Sequence, residues 1–149
     1  MNLRQLQAII CERLNADEAL LQGRCRAFAE DALSAPLTPE PALHAGSGGV
    51  ALVVRTPGAR LSGAAAQGLP VASTLAVDCI EVPAANRAQE PYLSAMGAAE
   101  RVAHLLHDGR TVTFDRFESD LVRDGETRFY VFTAYFQAHF IHTHTQPSI

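Results

Sequence analysis

Two histidine pairs are the first residues whose types and spacing could do chemistry. His104 and His107 stand three apart, and His142 and His144 stand two apart. Zinc takes four ligands in a structural site, so either pair would need further donors such as Asp108. His104 and His107 fall in the last turn of a predicted helix, where partly positive side chains suit the helix dipole. We therefore predict structural histidines, with no bound metal and no cofactor.

Nucleophilic catalysis has little support from the residue types present. The three cysteines, Cys11, Cys25 and Cys79, are unclustered and have apolar neighbours. That pattern indicates reduced thiols that pack like small hydrophobes. All 12 basic residues are arginine, so Schiff-base enzymes, Ser-x-x-Lys hydrolases and lysine-dependent phosphate loops are excluded. No Gly-x-Ser-x-Gly elbow occurs either, and we predict that the protein is not an enzyme.

The densest charge lies in one segment near the C-terminus. A general acid–base pair would need two of its carboxylates to converge on a pocket. Interleaved arginines are instead typical of a solvated hairpin. The net charge of −4 also disfavours broad attraction to nucleic acid phosphates. The segment is kept as a candidate lumen or interface, comprising Asp115, Glu118, Asp120, Asp124 and Glu126 with Arg116, Arg123 and Arg128.

The elements that would position these residues follow from hydrophobic periodicity. Apolar residues at helical spacing predict two helices, and strict alternation near the C-terminus predicts a strand with one aromatic face. An Asp-Gly pair at 124–125 favours a hairpin turn. Proline and glycine clusters predict flexible connections. The predicted order is a helix over 3–14, a short strand near 25–29, a flexible loop over 34–49, a strand over 50–54, a flexible loop over 57–70, a strand over 71–82, a helix over 91–106, strands over 111–123 and 127–141, and a frayed tail over 142–149.

These elements predict a single α+β domain spanning 1–149. We expect a mostly antiparallel sheet of four to five strands, with an N-terminal helix and one long helix packed on it and a closing β-hairpin. The long helix is expected to begin at Pro91, where a missing amide costs nothing. Asn15 is expected to end the first helix and cap a following turn. No stretch approaches the ~20 apolar residues that a membrane-spanning helix needs.

The same order resembles the tail-terminator (tail-completion) proteins of long-tailed phages and prophages, of the lambda minor tail protein type. The resemblance rests on the opening Leu-x-x-Leu-x-x-x-Ile helix, on Val77-Asp78-Cys79-Ile80-Glu81 leading to the second helix, and on the aromatic closing hairpin. It implies a structural protein that forms a homo-oligomeric ring, usually a hexamer. Such a ring stops tail-tube polymerisation and meets the head connector, and DNA passes through it without specific binding.

The resemblance also implies assembly in the cytoplasm of the bacterial host and then a place in the virion tail. In such a ring the hairpin acids would line the lumen, since like charges keep DNA from sticking. Two alternatives remain open. One is a different phage neck or head-completion protein. The other is a small ligand-binding or enzymatic α+β domain with a pocket between helix and sheet.

Overall fold

The computed structural model describes residues 1–30, 39–63 and 68–143, which form five helices and five strands. The predicted helices and strands are present, together with short helices that periodicity does not reveal. In chain order the elements are α1 (Leu3–Ala16), α2 (Glu18–Gln22), β1 (Cys25–Ala29), α3 (Pro39–Gly46), β2 (Val50–Leu61), β3 (Leu69–Glu81), α4 (Pro83–Asn86), α5 (Ala95–Leu106), β4 (Val112–Asp124) and β5 (Thr127–His142).

The five strands form one sheet in the order β1-β2-β3-β5-β4. β1 runs parallel to β2, whereas the β2–β3, β3–β5 and β4–β5 pairs are antiparallel. The predicted α+β class is confirmed, and the sheet is mixed rather than wholly antiparallel. A parallel pair needs a crossover connection, and α3 lies in the segment that joins β1 to β2.

The main core lies between one face of the sheet, called here the first face, and helices α1 and α5. The stripe of α1 contributes Leu6, Ile10 and Leu14, all of them buried. α5 contributes Ala95, Ala98, Ala99, Val102, Ala103 and Leu106. Since alanine is small, α5 packs closely against β3 and β5. The opposite, second face carries a smaller cluster of buried residues, which α3 joins through Ala45.

Two predicted helix boundaries are wrong, for local reasons. α5 begins at Ala95 rather than Pro91, because the hydroxyl of Ser94 accepts a hydrogen bond from the Gly97 amide at 3.0 Å. The helix thus has 12 residues and is no longer than α1. The turn that follows α1 is capped by Asp17, whose carboxylate accepts from the Leu20 amide, and not by Asn15.

The predicted flexible loops need correction as well. Within 34–49 the structure places α3, because Pro39 and Pro41 occupy its first turn, where proline is tolerated. Within 57–70 most described residues belong to strands, since β2 runs on to Leu61 and β3 starts at Leu69. A register shift between Arg55 and Gly58 accommodates the proline at 57. Residues 31–38, 64–67 and 144–149 lie outside the described residues, and with them most of the predicted tail.

Candidate functional site

The β4–β5 hairpin carries the predicted charged residues, and the strand register separates them by face. Directly opposed residues of antiparallel strands share a face. Glu118 and Asp120 lie opposite Thr133 and Val131, on the second face of the sheet. Asp124 follows at the same spacing, four residues beyond Asp120. Acids therefore predominate on the second face of the outer half of β4.

Arg123 and Arg128 lie on the other side of the hairpin. They are directly opposed in the register, so both belong to the first face. No hydrogen bond or ion pair is found for either guanidinium among the residues that the structure describes. Like charges placed opposite one another on a sheet are destabilising. Acidic and basic residues alternate along the sequence, but in the folded hairpin the acids of the outer half of β4 lie on the second face, and Arg123 and Arg128 lie on the first.

Only one of the predicted hairpin arginines forms ion pairs within the described chain. Arg116 donates to Asp115 at 2.6 Å and to Glu118 at 2.9 Å, and its guanidinium lies 4.2 Å from the centre of the Tyr135 ring. The hydrogen bond from Arg116 lowers the pKa of Glu118 below its usual value. All three charged side chains are about half exposed, so these pairs orient the strand more than they stabilise it.

The remaining hairpin acids have less contact with the rest of the chain. The Leu121 amide donates to the carboxylate of its neighbour Asp120 at 2.8 Å. Asp124 ends β4, and Glu126 sits in the two-residue turn beside Gly125, whose φ of 63° suits glycine. All three acids are exposed. The structure does not gather the eight predicted residues into one site; they line two faces and the tip of a hairpin.

A polar network on the second face ties Arg116 to the centre of the sheet. Arg55 donates two hydrogen bonds to Asp78, at 2.7 and 3.0 Å, and a third to the Tyr135 hydroxyl at 3.3 Å. Thr133 donates to Asp78 at 2.7 Å. Burial alone would lower the pKa of Arg55, but the hydrogen bond and charge of Asp78 raise it above its usual value. The network spans β2, β3, β5 and β4, and holds the edge strand in place.

A groove of about 740 Å³ lies on the first face, between α5 and the hairpin. A register shift between Phe114 and Arg116 adds one residue to β4 at Asp115. Phe114 and Phe117 consequently share a face, with ring centres 4.7 Å apart, and Phe117 stacks 5.4 Å from Phe132. The lining residues are Met96, Glu100, Ala103, His104, His107, Phe114, Phe117 and Phe132.

The groove also contains the first histidine pair. The Phe114 amide donates to Nδ1 of His107 at 2.9 Å, so this nitrogen is an acceptor and the ring helps to hold β4. No group of three or more potential metal ligands occurs in the described ranges 1–30, 39–63 and 68–143. His142 belongs to β5, while His144 lies outside those ranges. The absence of a physiological metal and of a cofactor stays a prediction.

The cysteines are poorly placed for nucleophilic chemistry. Burial raises the pKa of Cys11 to about 11 and that of Cys25 to about 12. Burial also raises the pKa of Cys79 well above its usual value. Since the thiolate is the reactive form, these thiols are weak nucleophiles at neutral pH.

None of the helices in the described segments has the length and apolar character to cross a bilayer.

A buried polar cluster at the start of α5 was not predicted from the sequence. Glu81 is fully buried, and its carboxylate accepts hydrogen bonds from Asn86 at 2.6 Å, Arg87 at 2.9 Å and the Ala95 amide at 3.2 Å. Asn86 also donates to the Leu93 carbonyl at 2.8 Å. An acid at the end of an apolar strand is the one signal that the sequence offers. The cluster fixes the 82–94 connection that leads into α5.

Comparison with known proteins bears on the fold. No family model and no curated protein matches the sequence. Among solved structures, a chain described as "Virion of native gene transfer agent (GTA) particle" is similar, with a TM-score of 0.50. The match covers 90% of this chain and 92% of that chain, at 18% sequence identity. At this identity the likeness shows that the two chains share a fold over almost their whole length.

Proposed function

We propose that the protein is a structural component of a phage-like virion, and specifically a tail-terminator protein. The observation that carries the proposal is the fold shared with a chain of a gene transfer agent virion over about nine tenths of each chain. The resemblance of the element order to tail terminators points to the same class. In that role, copies of the chain form a ring, a hexamer in this family, that caps the tail tube and meets the head-connector protein.

The charge distribution on the hairpin supports passage of DNA without specific binding. Arg116 is neutralised by Asp115 and Glu118, so Asp120, Asp124 and Glu126 dominate the second face and the tip. An acidic surface facing the lumen would repel the duplex and keep it sliding. We therefore propose that the second face of the hairpin lines the ring, in line with the lumen position that the resemblance implies for the hairpin acids.

A role without catalysis agrees with the groups found in the groove. Nδ1 of His107 already accepts a backbone hydrogen bond from Phe114, so this nitrogen is occupied. The protein would assemble in the host cytoplasm and end in the virion. The other phage role, a neck or head-completion protein, predicts a different place in the particle.

Tube length tests the proposal. A tail-tube protein from the same source genome is polymerised alone and then with rising concentrations of the protein. We expect shorter tubes and a ring of density at one end in negative-stain electron micrographs. An unrelated acidic protein of similar size is the control and should leave the length distribution unchanged.

The position of the protein in the particle separates the two phage roles. Gold-labelled antibody should bind at the head-proximal end of isolated tails. Label on purified heads and not on tails would assign the protein to head completion. Unaltered tube length together with unlabelled particles would remove both roles.

A further inference from the structure

The groove continues as an apolar strip along the first face of the hairpin. Phe117 and Leu121 of β4 are 37% and 56% exposed, and Met96 of α5, on the wall of the groove, is 45% exposed. The strip ends at Arg123 and Arg128, which have no ion pair within the described part of the chain. Contiguous exposed apolar side chains rimmed by charge mark a protein interaction surface. The two positive charges of Arg123 and Arg128 would be complemented by an acidic side chain of a partner.

Pairing of sheet edges between copies is disfavoured by the structure. The outer edge of β1 is closed, because the Asn15 side chain bonds the Ala27 amide at 2.8 Å and the Ala27 carbonyl at 3.3 Å. The edge of β4 is interrupted by the bulge at Asp115, and the Leu121 amide is already bonded to Asp120. Such devices prevent strand addition. An occupant of the strip therefore docks through side chains.

α3 of the same chain offers a matching surface. Leu43 is 74% exposed, which makes it the most exposed large hydrophobic residue in the described ranges. Glu40 precedes it by three residues, so the two side chains are neighbours on one helix face. No ion pair is found for Glu40 among the described residues. Leu43 beside Glu40 therefore complements the apolar groove beside Arg123 and Arg128, in both hydrophobicity and charge.

We propose that the groove and the arginine pair receive α3 of a second copy of this chain. Leu43 would enter the groove beside Phe117 and Leu121, while Glu40 would pair with Arg123 and Arg128. α3 joins the second face through Ala45 and the groove lies on the first, so the contact is head-to-tail. Head-to-tail contacts close into rings when the rotation divides a full turn. The inference rests on the proposed function and names its subunit contact.

Site-specific crosslinking tests the contact. Leu43→Cys and Leu121→Cys proteins are mixed at high concentration and treated with a short bismaleimide. The native thiols are buried or have a raised pKa, so they give little background. We expect a covalent dimer on a denaturing gel in the mixture only. The matched control replaces the first partner with Leu61→Cys, which is 62% exposed on β2, and should give no dimer.

Charge exchange tests the polar half of the contact. Glu40→Arg alone and the double variant Arg123→Glu/Arg128→Glu alone should each weaken self-association in sedimentation at least about tenfold, because like charges then meet at the rim. A mixture of the two variants should recover association. Glu12→Arg, an exposed acid on α1, is the matched control and should associate like the unaltered protein.

The outcomes distinguish this contact from the proposed function. A covalent dimer from Leu121→Cys alone would mean that two hairpins meet around a two-fold axis, and would overturn the inference. Protein that caps tubes but gives no Leu43–Leu121 dimer would retain the proposed function and lose only this contact. Retention of duplex DNA that is lost in Arg123→Gln/Arg128→Gln, with self-association unchanged, would assign the arginine pair to phosphate instead.

Discussion

Replacing Glu81 with alanine should be among the most destabilising single changes in the chain. Its carboxylate is fully buried and accepts three hydrogen bonds, one of them from the Ala95 amide at the first residue of α5. Alanine would leave these donors facing a small cavity. The 82–94 connection, which contains Asn86 and Arg87, would lose its hydrogen bonds to Glu81. The first turn of α5, which lines the groove, would lose its hydrogen bond to Glu81 as well.

The expected loss in the free energy of unfolding depends on whether each hydrogen-bond donor finds a new acceptor after the substitution. The Arg87 side chain is 46% exposed and can turn to water. Asn86 keeps its bond to the Leu93 carbonyl. The Ala95 amide finds no replacement, and a buried orphan donor costs about 1–3 kcal/mol. The lost hydrogen bond of Asn86 and the cavity left by the side chain bring the total loss to about 3–5 kcal/mol. At about 2–4 °C per kcal/mol, the melting temperature should fall by roughly 6–20 °C.

Thermal and urea unfolding followed by circular dichroism would measure the effect. Glu81→Gln keeps the shape and one acceptor oxygen, so it should lose less than alanine. Arg87→Ala leaves the fully buried Glu81 carboxylate without its positively charged partner, so it should cost more than the about 1 kcal/mol of an exposed ion pair. Glu126→Ala, at an exposed turn position, is the control and should leave the melting temperature unchanged. If Glu81→Ala melted within about 2 °C of the unaltered protein, which corresponds to at most about 1 kcal/mol, the reasoning would be refuted.

Two further predictions concern packing and pH. Ala99→Leu should overpack the contact of α5 with β3 and β5 and lower the free energy of unfolding in urea by about 1–3 kcal/mol. The control Ala8→Leu, at an exposed position of α1, should leave the free energy of unfolding unchanged. Equal stability of the two variants would mean that α5 packs loosely. Hydrogen bonds from Arg101 to Asp17 and from Thr111 to Asp108 lower the pKa of both carboxyls, so their contribution is complete above the ordinary value of 3.8 and is lost as the pH falls below it. Asp108→Asn should accordingly flatten the fall in melting temperature between about pH 5 and pH 3, and an unchanged acid profile would contradict this.

Patterns of near neighbours in the sequence determine most of the helices and strands. Leucine and isoleucine at helical spacing place α1, and the alternation of aromatic and polar residues places β5 with its aromatic side inward. α1 buries one side, so its pattern can be recognised without knowledge of the partner. β5 is also buried on its second face, at Phe129, Val131 and Thr133, which the predicted single buried side does not include. The α+β class follows from the patterns of these elements, and so does the position of the closing hairpin.

Features that depend on a distant partner were decided by the tertiary structure. Asn15 is a good capping residue, yet its amide closes the edge of β1 because Ala27 lies beside it. α3 is short and rich in proline, so it has little helical signal of its own and is held by packing on the sheet. Its buried face is set by residues far away in the sequence.

The groove illustrates the same division between local and tertiary information. Phe114 and Phe117 are three residues apart, a spacing that puts side chains on opposite faces of a regular strand. The bulge at Asp115 brings both rings to one face, where Phe132 and α5 meet them. Likewise, the sequence shows that acids and arginines alternate near the C-terminus. Only the pairing of β4 with β5 determines that Arg123 opposes Arg128 on one face, because register is a relation between two strands.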